Sequence, residues 1–181
     1  MKRKINEIFY SLQGEGFWTG TPIIFIRFSG CNLHCDFCDT QHDSFTEMTD
    51  SEILAQIAVF PCKRVCLTGG EASLQIDEKL IELLHENGYI IHIETNGTKP
   101  LPDGIDWVTL SPKSEQIALT KANELKIIFQ AKNLQQWLSF NAEHFFLQPC
   151  SCRNTGETIR YILANPQWRL SLQTHKYLNI H

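Results

Sequence analysis

The chain has 181 residues, 43% of them apolar and 20% charged, with a net charge of −4. That is enough chain for one domain with its own core, and too much apolar content for a disordered segment. An acidic balance argues against a nucleic-acid or membrane-surface partner, and no apolar run reaches the roughly 20 residues of a membrane span, so a small-molecule substrate is expected.

The segment Met1 to Tyr10 starts basic, but no apolar stretch follows, so no signal peptide is expected. The first core strand reads at Ile23 to Phe28. Arg27 lies inside this apolar run, where an unpaired inward charge is costly, so a mere surface pair is disfavoured. A helix follows over Thr49 to Phe60, opened by a capping box of Thr49 and Glu52, with Ile53, Ile57 and Phe60 on one face. A strand covers Arg64 to Gly69, and a second helix runs through Asp77 to Gly88, with Gly88 as its C-cap. Further strands read at Ile90 to Thr95, Asp106 to Ser111, Leu125 to Phe129 and His144 to Pro149. Helices are expected at Asn133 to Phe140 and Thr155 to Leu163. Continuous apolar strands alternating with helices define an α/β fold with a parallel sheet. The helices are too few for an eightfold barrel. An incomplete, splayed parallel β/α barrel of about six strands is expected, as a single domain over residues 1–181.

Polar residues gather where the strands end: Thr68-Gly69-Gly70-Glu71, Glu94-Thr95-Asn96-Gly97, Ser111-Pro112-Lys113 and Gln148-Pro149. In parallel α/β folds that edge binds ligands. Directly after the first core strand stand Cys31, Cys35 and Cys38, spaced C-x3-C-x2-C. Three thiolates can hold one face of an iron–sulfur cubane and leave one iron open, whereas closed clusters use four. Zinc is the alternative, with His34 completing a tetrahedron. The seven cysteines are an odd count, and without an export signal reduced thiols in the cytoplasm are the expected state. Cys66 reads as a small core residue and Cys150-Ser151-Cys152 as part of a site rim. A second cluster on Cys62, Cys66, Cys150 and Cys152 is disfavoured. His85, His92 and His144 lack ligand spacing, and Trp18 is expected to cover the site entry.

The cysteine loop, with Phe37 before its last ligand and Thr68 to Glu71 downstream, resembles the radical S-adenosylmethionine superfamily. Tyr10 to Gly16, Arg27, Cys38-Asp39-Thr40 and Leu172 to Lys176 together resemble its 7-carboxy-7-deazaguanine synthase family, from the first residues to the last. That family converts 6-carboxy-5,6,7,8-tetrahydropterin to 7-carboxy-7-deazaguanine with loss of ammonia, on the path to the deazaguanine (queuosine-type) bases of tRNA. The resemblance implies a 4Fe-4S cluster on Cys31, Cys35 and Cys38, S-adenosylmethionine, and Mg²⁺ on Thr40. It implies S-adenosylmethionine contacts at Phe37, Cys38, Asp39, Gly70, Ser111, Pro112 and Lys113, with Glu71, Glu94 and Gln148 on the same edge. It places the pterin against Leu12, Gln13, Gly14, Glu15, Arg27, Thr68 and His175. The carboxylate of His181, rather than its imidazole, completes that set, and no catalytic residue is implied beyond these ligands. A planar guanidinium at Arg27 suits a carboxylate, and Gln13 and Glu15 suit the polar edge of a pterin. An external electron donor such as flavodoxin, a homodimer and a cytoplasmic location are also implied. A glycyl-radical-enzyme activase is the alternative within enzymes, and a zinc-binding adaptor the alternative outside them.

Overall fold

The computed structural model describes every residue except Asp39 and residues 131–133. Its elements are β1 (Lys2–Leu12), β2 (Pro22–Phe28), β3 (Thr46–Thr49), α1 (Asp50–Ile57), β4 (Arg64–Gly69), α2 (Glu78–Glu86) and β5 (Ile90–Thr95). Then come β6 (Trp107–Leu110), β7 (Lys121–Phe129), β8 (Asn141–Pro149), α3 (Thr155–Ala164), β9 (Arg169–Leu170) and α4 (Thr174–Leu178). Among the described residues one sheet holds the order β3-β1-β2-β4-β5-β6-β7-β8-β9. From β2 to β9 all neighbours are parallel, and β1 runs antiparallel to both β2 and β3. The two ends do not pair, so the barrel stays open.

All six expected strands are present, and the sheet gains three. β1 escapes a pattern reading because Lys2, Lys4 and Glu7 interrupt it, yet Arg3 and Ile5 point into the protein. β3 and β9 are too short to show a period. The capping box on Thr49 and Glu52 forms, and α1 ends at Ile57, short of Phe60. Asp77 caps α2, and Gly88 takes a left-handed φ of 77° just beyond it. The expected helix from Asn133 begins outside the described residues, and Leu134–Ser139 winds as a 3₁₀ helix. Such tight turns are usual in short connecting pieces.

Alternation along each strand separates the two faces of the sheet. Ile24, Ile26, Phe28, Val65, Leu67, Ile91 and Ile93 turn outward and pack with Ile53, Ile57, Leu80, Ile81 and Leu84 of the helices. Each such buried aliphatic side chain stabilises by about 1.5–3 kcal/mol. A second core forms around Leu110, Leu125, Ile127, Phe129, Leu147 and Trp168. Arg3 ties these layers together. Fully buried, it bonds Asp50 at the start of α1 (2.5 Å) and the α2 cap Asp77 (2.7 Å), and donates to the Gln75 carbonyl.

The residues between these outward positions face the hollow of the open barrel. Ile23, Phe25 and Cys66 form a small apolar patch there with Phe9, as expected for Cys66. At the amino ends of the strands the hollow is plugged. Trp18 packs on Phe17, His92 and Trp107, His144 stacks on Phe17, and the Arg64 guanidinium lies over Trp18. Trp18 therefore floors the barrel and does not cover its entry. It sits on the nine-residue loop between β1 and β2, whose base is closed by the Gln13 amide to the Thr21 carbonyl and the Gly20 amide to the Gln13 carbonyl, both 2.8 Å. Burial, then the neighbouring Arg64 cation, push the His92 imidazole down to about 4 and keep it neutral.

Candidate active site

At the carboxyl ends of the parallel strands lies a cavity of about 330 Å³. Cys31, Cys35 and Cys38 line one end, with Leu33, Phe37 and Thr40 beside them. The backbone of this loop is tied down. The Cys38 amide donates to the Cys35 carbonyl (3.0 Å), Gly30 donates to the His42 carbonyl (3.1 Å), and Leu33 donates to Cys31 Sγ (3.4 Å).

The Gly69-Gly70 pair lets β4 pass under this loop. Gly69 has φ 130°, and a Cβ there would fall 2.1 Å from the Phe28 carbonyl oxygen. A Cβ on Gly70 would fall 2.1 Å from the Gly30 carbonyl oxygen. The Gly70 amide donates to the Phe28 carbonyl (3.0 Å) and the Glu71 amide to the Gly30 carbonyl (2.9 Å), joining the strand end to the root of the cysteine loop. From β5, Asn96 Nδ2 donates to Asn32 Oδ1 (3.1 Å), and Asn32 Nδ2 donates to Thr98 Oγ1 (2.8 Å).

Of the residues expected at S-adenosylmethionine, Phe37, Cys38, Gly70, Glu71, Glu94, Ser111, Lys113 and Gln148 line the cavity. Asp39 lies outside the described residues. Pro112 is buried and does not reach the cavity wall; it shapes the turn that presents its neighbours. Glu71 already accepts three hydrogen bonds from the protein. It accepts from Thr95 Oγ1 (2.6 Å), the Asn96 amide (2.7 Å) and the Ser73 amide (3.1 Å), so it braces two strand ends. Lys113 Nζ donates to Ser111 Oγ (2.6 Å), and burial pushes its ammonium down to about 8. Burial raises the Cys35 thiol, and the Lys113 cation opposes that rise.

The residues expected at the substrate, Leu12, Gln13, Gly14, Glu15, Arg27, Thr68, His175 and His181, all line the same cavity. Several are tied into its wall. Gln13 Nε2 donates to Glu94 Oε1 (3.1 Å), Thr68 Oγ1 donates to Glu94 Oε2 (3.2 Å), and Gln13 Oε1 accepts the Glu15 amide (3.1 Å). Glu15 accepts from Gln173 Nε2 (2.9 Å) and from the buried Lys126 ammonium, which stands 3.9 Å from Glu94. Burial tends to raise the Glu15 carboxyl, but Lys126 outweighs it and holds it below the usual range. The Gly14 carbonyl accepts both the amide and the hydroxyl of Thr174, at 2.8 and 2.9 Å. His175 sits so close that a Cβ on Gly14 would fall 2.1 Å from its Nδ1.

Arg27 donates through Nε to Glu7 Oε1 (2.7 Å), and its Nη hydrogens have no hydrogen-bond partner among the described residues. The imidazole of His181, expected to play no part, bonds Glu7 Oε2 at 2.9 Å. Sequence reasoning also missed Lys126, Gln173 and Lys176 at the cavity. Lys126 was readable in principle, as a charged residue at an inward position two places after Glu124. Gln173 and Lys176 lie within the quoted Leu172 to Lys176 motif, but nothing in their spacing assigns them a role.

Among the described residues no group of three or more His, Cys, Asp or Glu converges on a single-ion site. Nothing in this geometry favours a zinc tetrahedron of Cys31, Cys35, Cys38 and His34. The same holds for the set of Cys62, Cys66, Cys150 and Cys152. Cys62 Sγ lies 3.4 Å from the Pro22 carbonyl oxygen, Cys66 is in the apolar patch, and Cys150 lines the cavity. Three thiols at one end of a polar cavity fit a larger iron–sulfur group with an open iron.

An open parallel barrel with this loop defines a radical S-adenosylmethionine enzyme, and residues 25–116 match the radical SAM superfamily. Members carry a 4Fe-4S cluster and bind S-adenosylmethionine. The chain is 58% identical over 181 residues to the 7-carboxy-7-deazaguanine synthase of Bacteroides thetaiotaomicron, covering 99% of this chain and 100% of that one. It is 38% identical to that of Bordetella pertussis, covering 99% and 100%. The crystal structure of QueE from Escherichia coli superposes with a TM-score of 0.83 at 31% identity, covering 97% of this chain and 95% of that one. The chain belongs to the 7-carboxy-7-deazaguanine synthase family. Neither the activase nor the zinc adaptor finds support.

Proposed function

We propose that the chain contracts the ring of 6-carboxy-5,6,7,8-tetrahydropterin to 7-carboxy-7-deazaguanine with loss of ammonia. The observation that carries this is full-length identity to relatives of that name, joined to one cavity that holds both the cysteine loop and the expected substrate residues. When bound, the cluster on Cys31, Cys35 and Cys38 and its S-adenosylmethionine supply the one-electron chemistry.

The chain's own residues bind, orient and exclude water. Arg27 takes the substrate carboxylate on its unpaired Nη fork. Glu15, fixed in its ionised state by Lys126, accepts from the donor edge of the pyrimidinone ring, with Gln13, Thr68 and backbone groups of Leu12 and Gly14 around it. His175 packs the far side. Thr40, two residues after the last cysteine, offers a hydroxyl to Mg²⁺, which takes few protein ligands and favours substrate oxygens. Gly70, Ser111, Lys113 and Gln148 face S-adenosylmethionine. A single domain is supported by one sheet joining all nine strands. A homodimer is supported by Ile159, Leu163, Tyr177 and Leu178, apolar yet exposed. A flavodoxin-type electron donor and a cytoplasmic setting complete the reading. No helix is long and apolar enough to cross a membrane among the described residues.

The test is anaerobic reconstitution, reduction, and incubation with the pterin, S-adenosylmethionine and Mg²⁺, followed by mass analysis. The deazaguanine product is expected. A fully loaded cluster that yields no such product refutes the assignment.

A further inference from the structure

Three alternate residues of β1 share its inward face, where Glu7 is registered opposite Arg27, Phe9 opposite Phe25 and Ser11 opposite Ile23. All three touch His181. Glu7 Oε2 bonds its Nε2 (2.9 Å), Phe9 meets its ring edge-on with centroids 4.0 Å apart, and Ser11 Oγ donates to its main-chain oxygen (2.8 Å). Period-two geometry places i, i+2 and i+4 on one line, so the strand presents a continuous track to this residue. The other oxygen of Glu7 holds Arg27 Nε at 2.7 Å, while the guanidinium lies over the Phe9 ring.

One carboxylate thus grips two groups that do different work. It orients a cation lining the cavity and fastens the segment that crosses the cavity beside Gly14 and Glu15. Glu7 does not itself line that cavity. Burial tends to raise its carboxyl, but the bonds from Arg27 and His181 outweigh this and leave it below the usual range.

We propose that Glu7 is a positioning residue and, with Phe9 and Ser11, a latch: it seats residues 174–181 across the cavity and couples their closure to occupancy of Arg27 by a carboxylated ligand. This rests on the assignment of Arg27 to the substrate carboxylate. Coupling of this kind is reciprocal, so if closure tightens ligand binding by some factor, the ligand shifts the open–closed equilibrium toward closed by the same factor.

The His181 side chain is 63% exposed. An exposed pair adds little to global stability, which separates a latch from a structural strut. The experiment measures amide exchange over residues 172–180 in the reconstituted holoenzyme, with and without the pterin, for the native chain and for Glu7→Gln, His181→Ala and the double variant. Each single variant is expected to exchange about fivefold faster over this segment, the worth of one ordinary hydrogen bond, as suits a partly exposed pair, and the double variant no faster than either. KM for the pterin rises by a similar factor with kcat nearly constant, while cluster absorbance and thermal midpoint stay put. Unchanged exchange in Glu7→Gln, or effects that multiply in the double variant, overturns the latch. Exchange is read without turnover, so a native enzyme inert toward the pterin refutes the substrate assignment while leaving the exchange comparison intact.

Discussion

Lys126→Met removes the cation that Glu15 binds inside the wall. Lys126 and Glu15 are 6% and 15% exposed at their side chains, and Glu94 stands 3.9 Å from the ammonium. Breaking a buried pair from one side typically costs about 3–5 kcal/mol, because a charge is left without its partner. Against a domain stability of about 5–15 kcal/mol this is a large fraction. The pH dependence follows from the direction of each shift. In the native chain Glu15 lies below its unfolded value, so its stabilisation is present above that value and lost as pH falls through the lowered one. Lys126 lies above its unfolded value, so its share is complete below that value and lost only as pH rises through the raised one. Without Lys126, burial drives the Glu15 carboxyl above its unfolded value. The variant is then most destabilised near pH 8 and recovers toward pH 5, where the carboxyl is protonated. Urea unfolding of the holoenzyme, followed by tryptophan fluorescence across pH 5–8, reads this out. Lys126→Arg should restore much of the loss. A Lys126→Met midpoint equal to native at pH 8, or a deficit that grows toward acid, refutes the argument.

Cys31→Ala, Cys35→Ala and Cys38→Ala should each abolish iron and sulfide incorporation on reconstitution, whereas Cys62→Ala, whose thiol faces the Pro22 carbonyl, should load normally. Gly70→Ala drives a Cβ into the Gly30 carbonyl, so it should lower cluster loading and cost about 1–3 kcal/mol, read by iron content and by the urea midpoint. Arg3→Met removes the cation shared by Asp50 and Asp77, both partly exposed, and should cost about 1.5–3 kcal/mol in the same unfolding assay, with KM for the pterin unchanged in the folded fraction. His92 lies at about 4, below its unfolded value, so the unfolded chain takes up a proton that the fold resists; native stability should fall by about 3 kcal/mol between pH 6.5 and 4, and His92→Asn should flatten that slope.

Six of the seven parallel strands were legible because strands covered on both faces are written as unbroken apolar runs. β1 was not, since a register shift between Ile5 and Glu7 switches its faces: Arg3 and Ile5 turn to the helices while Glu7, Phe9 and Ser11 turn to the hollow, a mixture that only contact with Asp77, Arg27 and His181 explains. The cysteine loop and the Gly-Gly turn were legible because their chemistry is local. Lys126 and the Glu7 partner of Arg27 were not, because the first is held by Glu15, 111 positions away, and the second lies on a strand with no clear period. Trp18 was misplaced for a related reason: its sequence position next to Gly14 and Glu15 gives no sign that the loop turns down and away from them.

That turn has a kinetic consequence. Phe17, Trp18 and Trp107 stop the hollow at the amino ends of the strands, so nothing passes straight through it and each ligand leaves by the way it came. Traffic through such a vessel is single-file. Whatever sits nearest the mouth must leave before anything beneath it can, so ligands should bind in a compulsory order and depart in the reverse one. Product-inhibition patterns would then name the molecule that lies deepest without any further structure.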